Sequence, residues 1–186
     1  RCIKNNREYP RCSKKKIRRS PNREAHGRTD GFSSLNNTAV SYPKNQALHQ
    51  LIADHAKANP DKVALVFEER SLTFKNVNDA ANKLARHLLT YNIKTGDIIG
   101  LALDRSPEMV IALLAILKTG AAYVPLDPEY PKDRVEFMME DSAAKILLTS
   151  EKFKGHFISI AQEVLIEDAL NKFDDYSGEN PEHVVG

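Results

Sequence analysis

Nine consecutive apolar residues, Met109 to Leu117, decide most of what this chain can fold into. Ser106-Pro107-Glu108 stands just before them and spells a helix start. The serine offers a capping hydroxyl, the proline lacks an N–H that the first turn does not use, and the acid meets the positive end of the helix dipole. On the far side Lys118 falls in the last turn, and Gly120 can end the helix in a left-handed conformation. A helix with no polar face must be covered on every side. Its apolar run is about half of the ~18 residues needed to span a bilayer, so the cover is protein and no membrane partner is expected.

The flanking sequence supplies the cover. Ile98–Leu103 and Ala121–Val124 read as core strands on either side of the helix, and Ala144–Thr149 as a third. Val77, Ala80, Ala81, Leu84, Ala85, Leu88 and Leu89 recur at helical spacing, with Thr73 as the N-cap and Asn92 and Gly96 closing the segment. Upstream, Ala47–Asn59 reads as a helix with Leu48, Leu51, Ile52 and Ala56 on one face, stopped by Pro60. Val63–Phe67 and Ser71–Phe74 are short strands joined by the polar turn Glu68-Glu69-Arg70. Downstream, Pro125, Pro128 and Pro131 exclude helix, and Pro131 starts a helix carrying Val135, Phe137, Met138 and Met139. Val164-Leu165-Ile166 is one further strand, and residues 174–186 read as loop. Strands alternating with helices define an α/β fold with a parallel sheet.

The net charge of +2 on 186 residues conceals a split. Residues 1–35 hold eleven Lys and Arg against three acids, whereas residues 36–186 carry a balance of −6. The leader has too few apolar residues to offset the entropy of ordering it, and the run Lys14–Arg19 repels itself, so residues 1–35 are expected to be a disordered basic leader or linker. A nucleic-acid-binding tail is the alternative, set below the linker because short basic runs match such motifs by chance. Cys2 and Cys12 with only His26 nearby do not have the paired spacing of zinc ligands. Both cysteines lie in the leader, so the body owes nothing to disulfides. That fits a reducing cytoplasm, and a basic start does not resemble a secretory signal. A chain that starts at Arg1 is expected to be a piece of a longer protein or a processed product.

Residue chemistry alone goes no further than part of an α/β domain. No glycine-rich phosphate loop, paired cysteine motif or nucleophile elbow is present in the sequence. Asp127, Glu129 and Asp133 share a proline-rich loop and could suggest Mg²⁺, but solvated surface carboxylates are the preferred reading. Arg105 and Arg134 are expected in structural ion pairs, Tyr123 packed beneath the apolar helix, and His49 and His55 on the flanks of the first helix. No catalytic, cofactor-binding or metal residue is assigned.

Three stretches together resemble the adenylation domains of nonribosomal peptide synthetases, in the AMP-binding, adenylate-forming superfamily. Ser71-Leu72-Thr73-Phe74-Lys75-Asn76-Val77 is similar to the Leu-Thr-Tyr-x-Glu-Leu motif, departing from it at Phe74, Asn76 and Val77. Leu117-Lys118-Thr119-Gly120-Ala121-Ala122-Tyr123-Val124-Pro125-Leu126-Asp127, continued by Pro128-Glu129-Tyr130-Pro131, resembles Leu-Lys-Ala-Gly-x-Ala-Tyr-Val-Pro-Leu-Asp. Asn36–Val40 with Tyr42-Pro43 is similar to the connector that follows a condensation domain. In Thr-x-x-Glu the acid closes a capping box; Asn76 is too short for that, so Thr73 is expected to cap alone.

The resemblance implies that residues 36–186 are the first part of the large N-terminal subdomain of the adenylate-forming fold, cut before the phosphate-binding loop. It implies a parent enzyme that uses ATP and Mg to activate an amino acid and pass it to phosphopantetheine. Its partners would be an upstream condensation domain and a downstream carrier domain. An acyl-CoA synthetase-like ligase is the runner-up, and a non-catalytic interaction fragment the alternative of another class. The catalytic elements implied lie downstream, so these residues alone are expected to be inactive.

Overall fold

The structure, a computed structural model, describes residues 40–41, 43–157, 161–172 and 176–181. Every element below belongs to the unit Pro43–Gly186. The expected leader with Lys14–Arg19, Cys2, Cys12 and His26 lies outside the described residues, as do residues 36–39 and Tyr42 of the connector. In chain order the elements are α1 (Leu48–Ala58), β1 (Val63–Phe67), β2 (Arg70–Thr73), α2 (Phe74–Leu89), β3 (Ile98–Ala102) and α3 (Pro107–Lys118). They continue with β4 (Ala122–Pro125), α4 (Lys132–Asp141), β5 (Ile146–Thr149), a 3-10 turn (Glu151–Phe153), β6 (Gln162–Leu165) and α5 (Ile166–Asn171).

The expected start of α3 is present, with the Ser106 hydroxyl accepting from the Met109 N–H at 3.2 Å. So is its end: Gly120 has φ +77°, and a side chain there would meet the Thr95 hydroxyl at 2.8 Å. Ile111, Ala112, Leu114, Ala115 and Ile116 are buried, as an all-apolar helix requires. At α2, Thr73 caps alone by accepting from the Asn76 N–H at 3.2 Å.

The main sheet is parallel, with strand order β4-β3-β5-β6. Ile98 pairs with Ala122 on one side of β3, and Ile99 with Ile146 on the other. Successive strand residues point to opposite faces, so the sheet has two cores. Ile99 and Leu101 of β3, Ile146 and Leu148 of β5, and Val164 of β6 pack with α2 and α3. Ala102 and Leu147 pack on the other face with Val135 and Met139 of α4, Leu126 and Phe157. Parallel strands joined by helices on both faces match the expected α/β class. The β1–β2 hairpin forms a separate antiparallel pair that turns through Glu68 at φ +51°.

Several expectations need correction. Leu48 is 60% exposed rather than on the buried face of α1, which contributes Ile52 and Ala56 to the core. Phe137 is 64% exposed, because α4 rests on Val135 and Met139. The last strand starts earlier, at Gln162, and Ile166 already begins a short helix.

Candidate functional site

The segment Leu117–Arg134 runs from the end of α3 through β4 into α4, and two distinct surfaces meet along it. The first is a cleft of about 870 Å³ beyond the carboxyl ends of β3 and β4. In open α/β sheets that edge is where ligands bind. Met109 and Leu113 of α3 form one wall, Tyr123 and Pro125 another, and Arg105 and the loop Asp127–Tyr130 the rim. Tyr123 is 41% exposed here instead of packed beneath α3, because among the described strands β4 has a neighbour on one side only. Arg105 lies exposed on the rim. Arg134 is stacked over the Tyr130 ring at 4.3 Å rather than ion-paired, a cation–π contact.

The acidic residues of the loop do not converge. Asp127 accepts from the Glu129 N–H at 3.0 Å, so it braces its own turn. Among the described residues no three of His, Cys, Asp and Glu come together as a metal site. Nor does the loop fit a nucleotide's phosphates. A phosphate cradle needs several free backbone N–H groups. Pro125, Pro128 and Pro131 have none, and the N–H groups of Leu126, Glu129 and Tyr130 bond to Leu101, Asp127 and Asp127 again. Within the described residues nothing is therefore assigned to ATP or Mg.

The second surface is polar and buried. Lys118 is 3% exposed at the end of α3. Its ammonium donates to the side-chain oxygens of Asn78 and Asn180, each at 3.0 Å. Burial holds its pKa down at about 8, with the Asp79 charge working the other way. His49 of α1 lines a small pocket of about 170 Å³ beside Lys118, Asn180 and Pro181. Burial and then the Lys118 charge push the His49 pKa down. His55 stacks edge-on against Phe74 at 4.4 Å. Sequence reasoning placed Lys118 only as a helix-end cation. It missed Asn82 and His87 altogether, both buried on α2. Burial, and secondarily Lys172, lower the His87 pKa against the opposing Asp168 charge. A signal for Asn82 was present, since an asparagine follows Ala81 directly inside an apolar helical stripe.

At the first turn of α3, Arg70 of the hairpin pairs with Glu108 at 3.0 Å. Burial works against charge on Glu108, but its own backbone N–H, Arg70 and Ser106 outweigh it and lower its pKa.

A doubly covered parallel sheet with this arrangement belongs to a known class. Residues 52–183 match the AMP-binding enzyme family, and the chain belongs to that family. It is 44% identical over 131 residues to tyrocidine synthase 1 of Brevibacillus parabrevis, covering 69% of this chain and 12% of that protein. It is 42% identical over 135 residues to bacitracin synthase 3 of Bacillus licheniformis, covering 72% of this chain and 2% of that protein. The fold is similar to the crystal structure of the nonribosomal peptide synthetase FmoA3 bound to alpha-methyl-L-serine-AMP. That likeness has a TM-score of 0.72 at 24% identity and covers 82% of this chain and 17% of the other. The chain thus spans a small part of the length of the proteins it matches.

Proposed function

We propose that this chain is the opening part of an amino-acid adenylation domain in a cytoplasmic nonribosomal peptide synthetase. The whole enzyme would join an amino acid's carboxylate to the α-phosphate of Mg-ATP, releasing pyrophosphate. A phosphopantetheine thiol on a carrier domain would then take the acyl group and release AMP, with a condensation domain acting upstream. The observation that carries this is the continuous run Leu117–Pro131, where the motif letters coincide with a helix end, an edge strand and a braced turn. Identity of 44% and 42% to the tyrocidine and bacitracin synthases supports it. In this assignment residues 43–181 are scaffold. They set the sheet and its carboxyl edge, and phosphoryl chemistry falls to residues beyond them, where positioning and charge stabilisation would act.

The test is a chimera in which residues 43–181 replace the matching stretch of tyrocidine synthase 1. The chimera should retain amino-acid-dependent ATP–pyrophosphate exchange, and the 186 residues alone should show none. Exchange by these residues alone at a comparable rate, or a folded chimera without exchange, would overturn the assignment.

A further inference from the structure

Residues Tyr176–Pro181 form no helix or strand, yet they are pinned along α2 by a row of polar side chains. The segment runs opposite to the helix. The Tyr176 hydroxyl lies 3.3 Å from His87 Nδ1. One helical turn back, Asn82 Nδ2 donates to the Gly178 carbonyl at 2.6 Å. A further turn back, Asn78 shares the Lys118 ammonium with Asn180. Arg86 reaches across to the Glu179 carbonyl at 3.2 Å. Gly178 packs on α2, where an added Cβ would make ordinary contact with Asp79 at 3.5 Å. Asn78, Asn82 and Arg86 are spaced four apart and so share one face of α2.

This polar row is costly where it stands. Asn82 is fully buried, and its Oδ1, like Arg86 Nε, has no partner among the described residues. A buried polar atom without a partner is less favourable than an apolar group in its place. Apolar residues at these positions would pack α2 against its neighbours without that cost. The row therefore fits a requirement to place the segment, not to stabilise the helix pair.

We infer that Asn78, Asn82 and Lys118 form a latch on Tyr176–Pro181, and that Lys118 is a positioning residue for the adenylation reaction proposed above, on which this inference rests. The latch ends where the sheet begins. Lys118 closes α3 just before β4, and the Ala122 N–H bonds to the Asp97 carbonyl at 2.8 Å, at the entry of β3. From that entry β4 runs to the carboxyl edge, where the cleft lies and ligands bind. The latch thereby fixes the end of α3 from which β4 reaches that edge.

The experiment uses the full-length protein that contains this chain. Asn180 is exposed, its side chain meets Lys118 and only its backbone carbonyl meets Arg86, so Asn180→Ala spares the core. Asn180→Asp keeps the acceptor oxygen. Asn180→Ala should speed amide exchange at residues 176–180 by about tenfold or more with the melting temperature unchanged, since it opens one local unit. It should raise KM for Mg-ATP about fivefold or more through misplacement, and leave KM for the amino acid within about twofold. Asn180→Asp should restore both readouts. Unchanged amide exchange in Asn180→Ala would overturn the latch. Faster exchange with KM for Mg-ATP unchanged, or with both KM values raised alike, would overturn the positioning role. If the unmutated protein shows no pyrophosphate exchange with any amino acid, the adenylation assignment and the positioning role fail with it, while amide exchange still decides the latch.

Discussion

The two faces of the parallel sheet are covered in opposite ways. On one, α2 and α3 lay branched aliphatic side chains against Ile99, Leu101, Ile146 and Leu148. On the other, the approach of α4 depends on a missing side chain. An added Cβ at Gly100 would collide with the Met139 sulfur and stand 3.1 Å from Leu147 Cδ1. The first face holds its helices by filling space with stiff side chains, and the second by leaving space for a flexible one. Rigid packing punishes the loss of atoms, because neighbours cannot collapse into the gap. A methionine seated on a glycine punishes the gain of atoms instead.

Adjacent residues of β5 separate these cases. Leu147 and Leu148 are both fully buried, on opposite faces. Leu148→Ala is expected to cost about 4–5 kcal/mol, at the upper end for such truncations, because α2 and α3 are fixed around it. Leu147→Ala should cost closer to 2–3 kcal/mol, roughly the lower end, because Met139 can shift into the space. Urea unfolding of the two variants checks this. Equal losses would show that the faces are alike in rigidity.

Gly100 tests the converse. Gly100→Ala should cost about 1–3 kcal/mol, the usual range for overpacking. In the double variant Gly100→Ala with Met139→Ala, the two losses should fall short of additive, because each relieves the other. Strict additivity in a double-mutant cycle would show that Met139 is not what the glycine admits.

This contrast also explains what could be read in the sequence. The start and end of α3 were legible because Ser106, Pro107 and Gly120 act on their own backbone. The α2 stripe was legible because Val77, Ala81, Leu84, Ala85 and Leu88 repeat at the helix period. Gly100 looked like one more strand residue, since its role depends on Met139 of a distant helix. Tyr123 was misplaced because a short Ala-Tyr-Val strand does not disclose that it lies at a sheet edge. The latch was illegible for the same reason at longer range, since Asn82 and Gly178 are 96 residues apart. The motif around Lys118 identified the family without showing that the lysine is buried between two asparagines.

Lys118 adds a pH signature to the α3 side. Its folded pKa of about 8 lies below the ordinary lysine value of ~10.4. Between those values the unfolded chain binds more protons, so this group makes the protein more stable as pH rises from about 8 toward 10.4. The groups facing it are Asp79 and Asn78 of α2, His49 of α1 and Asn180. Allowing for solvent screening, the gain is on the order of 1 kcal/mol. Subtracting the stability–pH curve of Lys118→Met from that of the unmodified chain should reveal this rise. A flat difference would place the ammonium in water rather than between its asparagines.

The smallest expected effect compares how α3 and α4 end. α3 stops at Gly120, whereas α4 stops at Ala143, which holds the same left-handed region at φ +53°. The Ala143 N–H bonds to the Glu140 carbonyl at 3.0 Å and the Ala144 N–H to the Met139 carbonyl at 3.1 Å. Those bonds tie the turn to the helix that carries Met139, so the alanine is kept in place despite its Cβ. A left-handed L-residue costs roughly 1–2 kcal/mol. Glycine removes that cost but adds roughly 0.5–1 kcal/mol of unfolded-state freedom. Ala143→Gly should therefore stabilise the protein by about 0.5–1 kcal/mol, read as a higher urea midpoint with an unchanged slope. A lower midpoint would mean that the Ala143 methyl contributes packing that outweighs its backbone cost. The α4 face would then depend on its turn as well as on Met139.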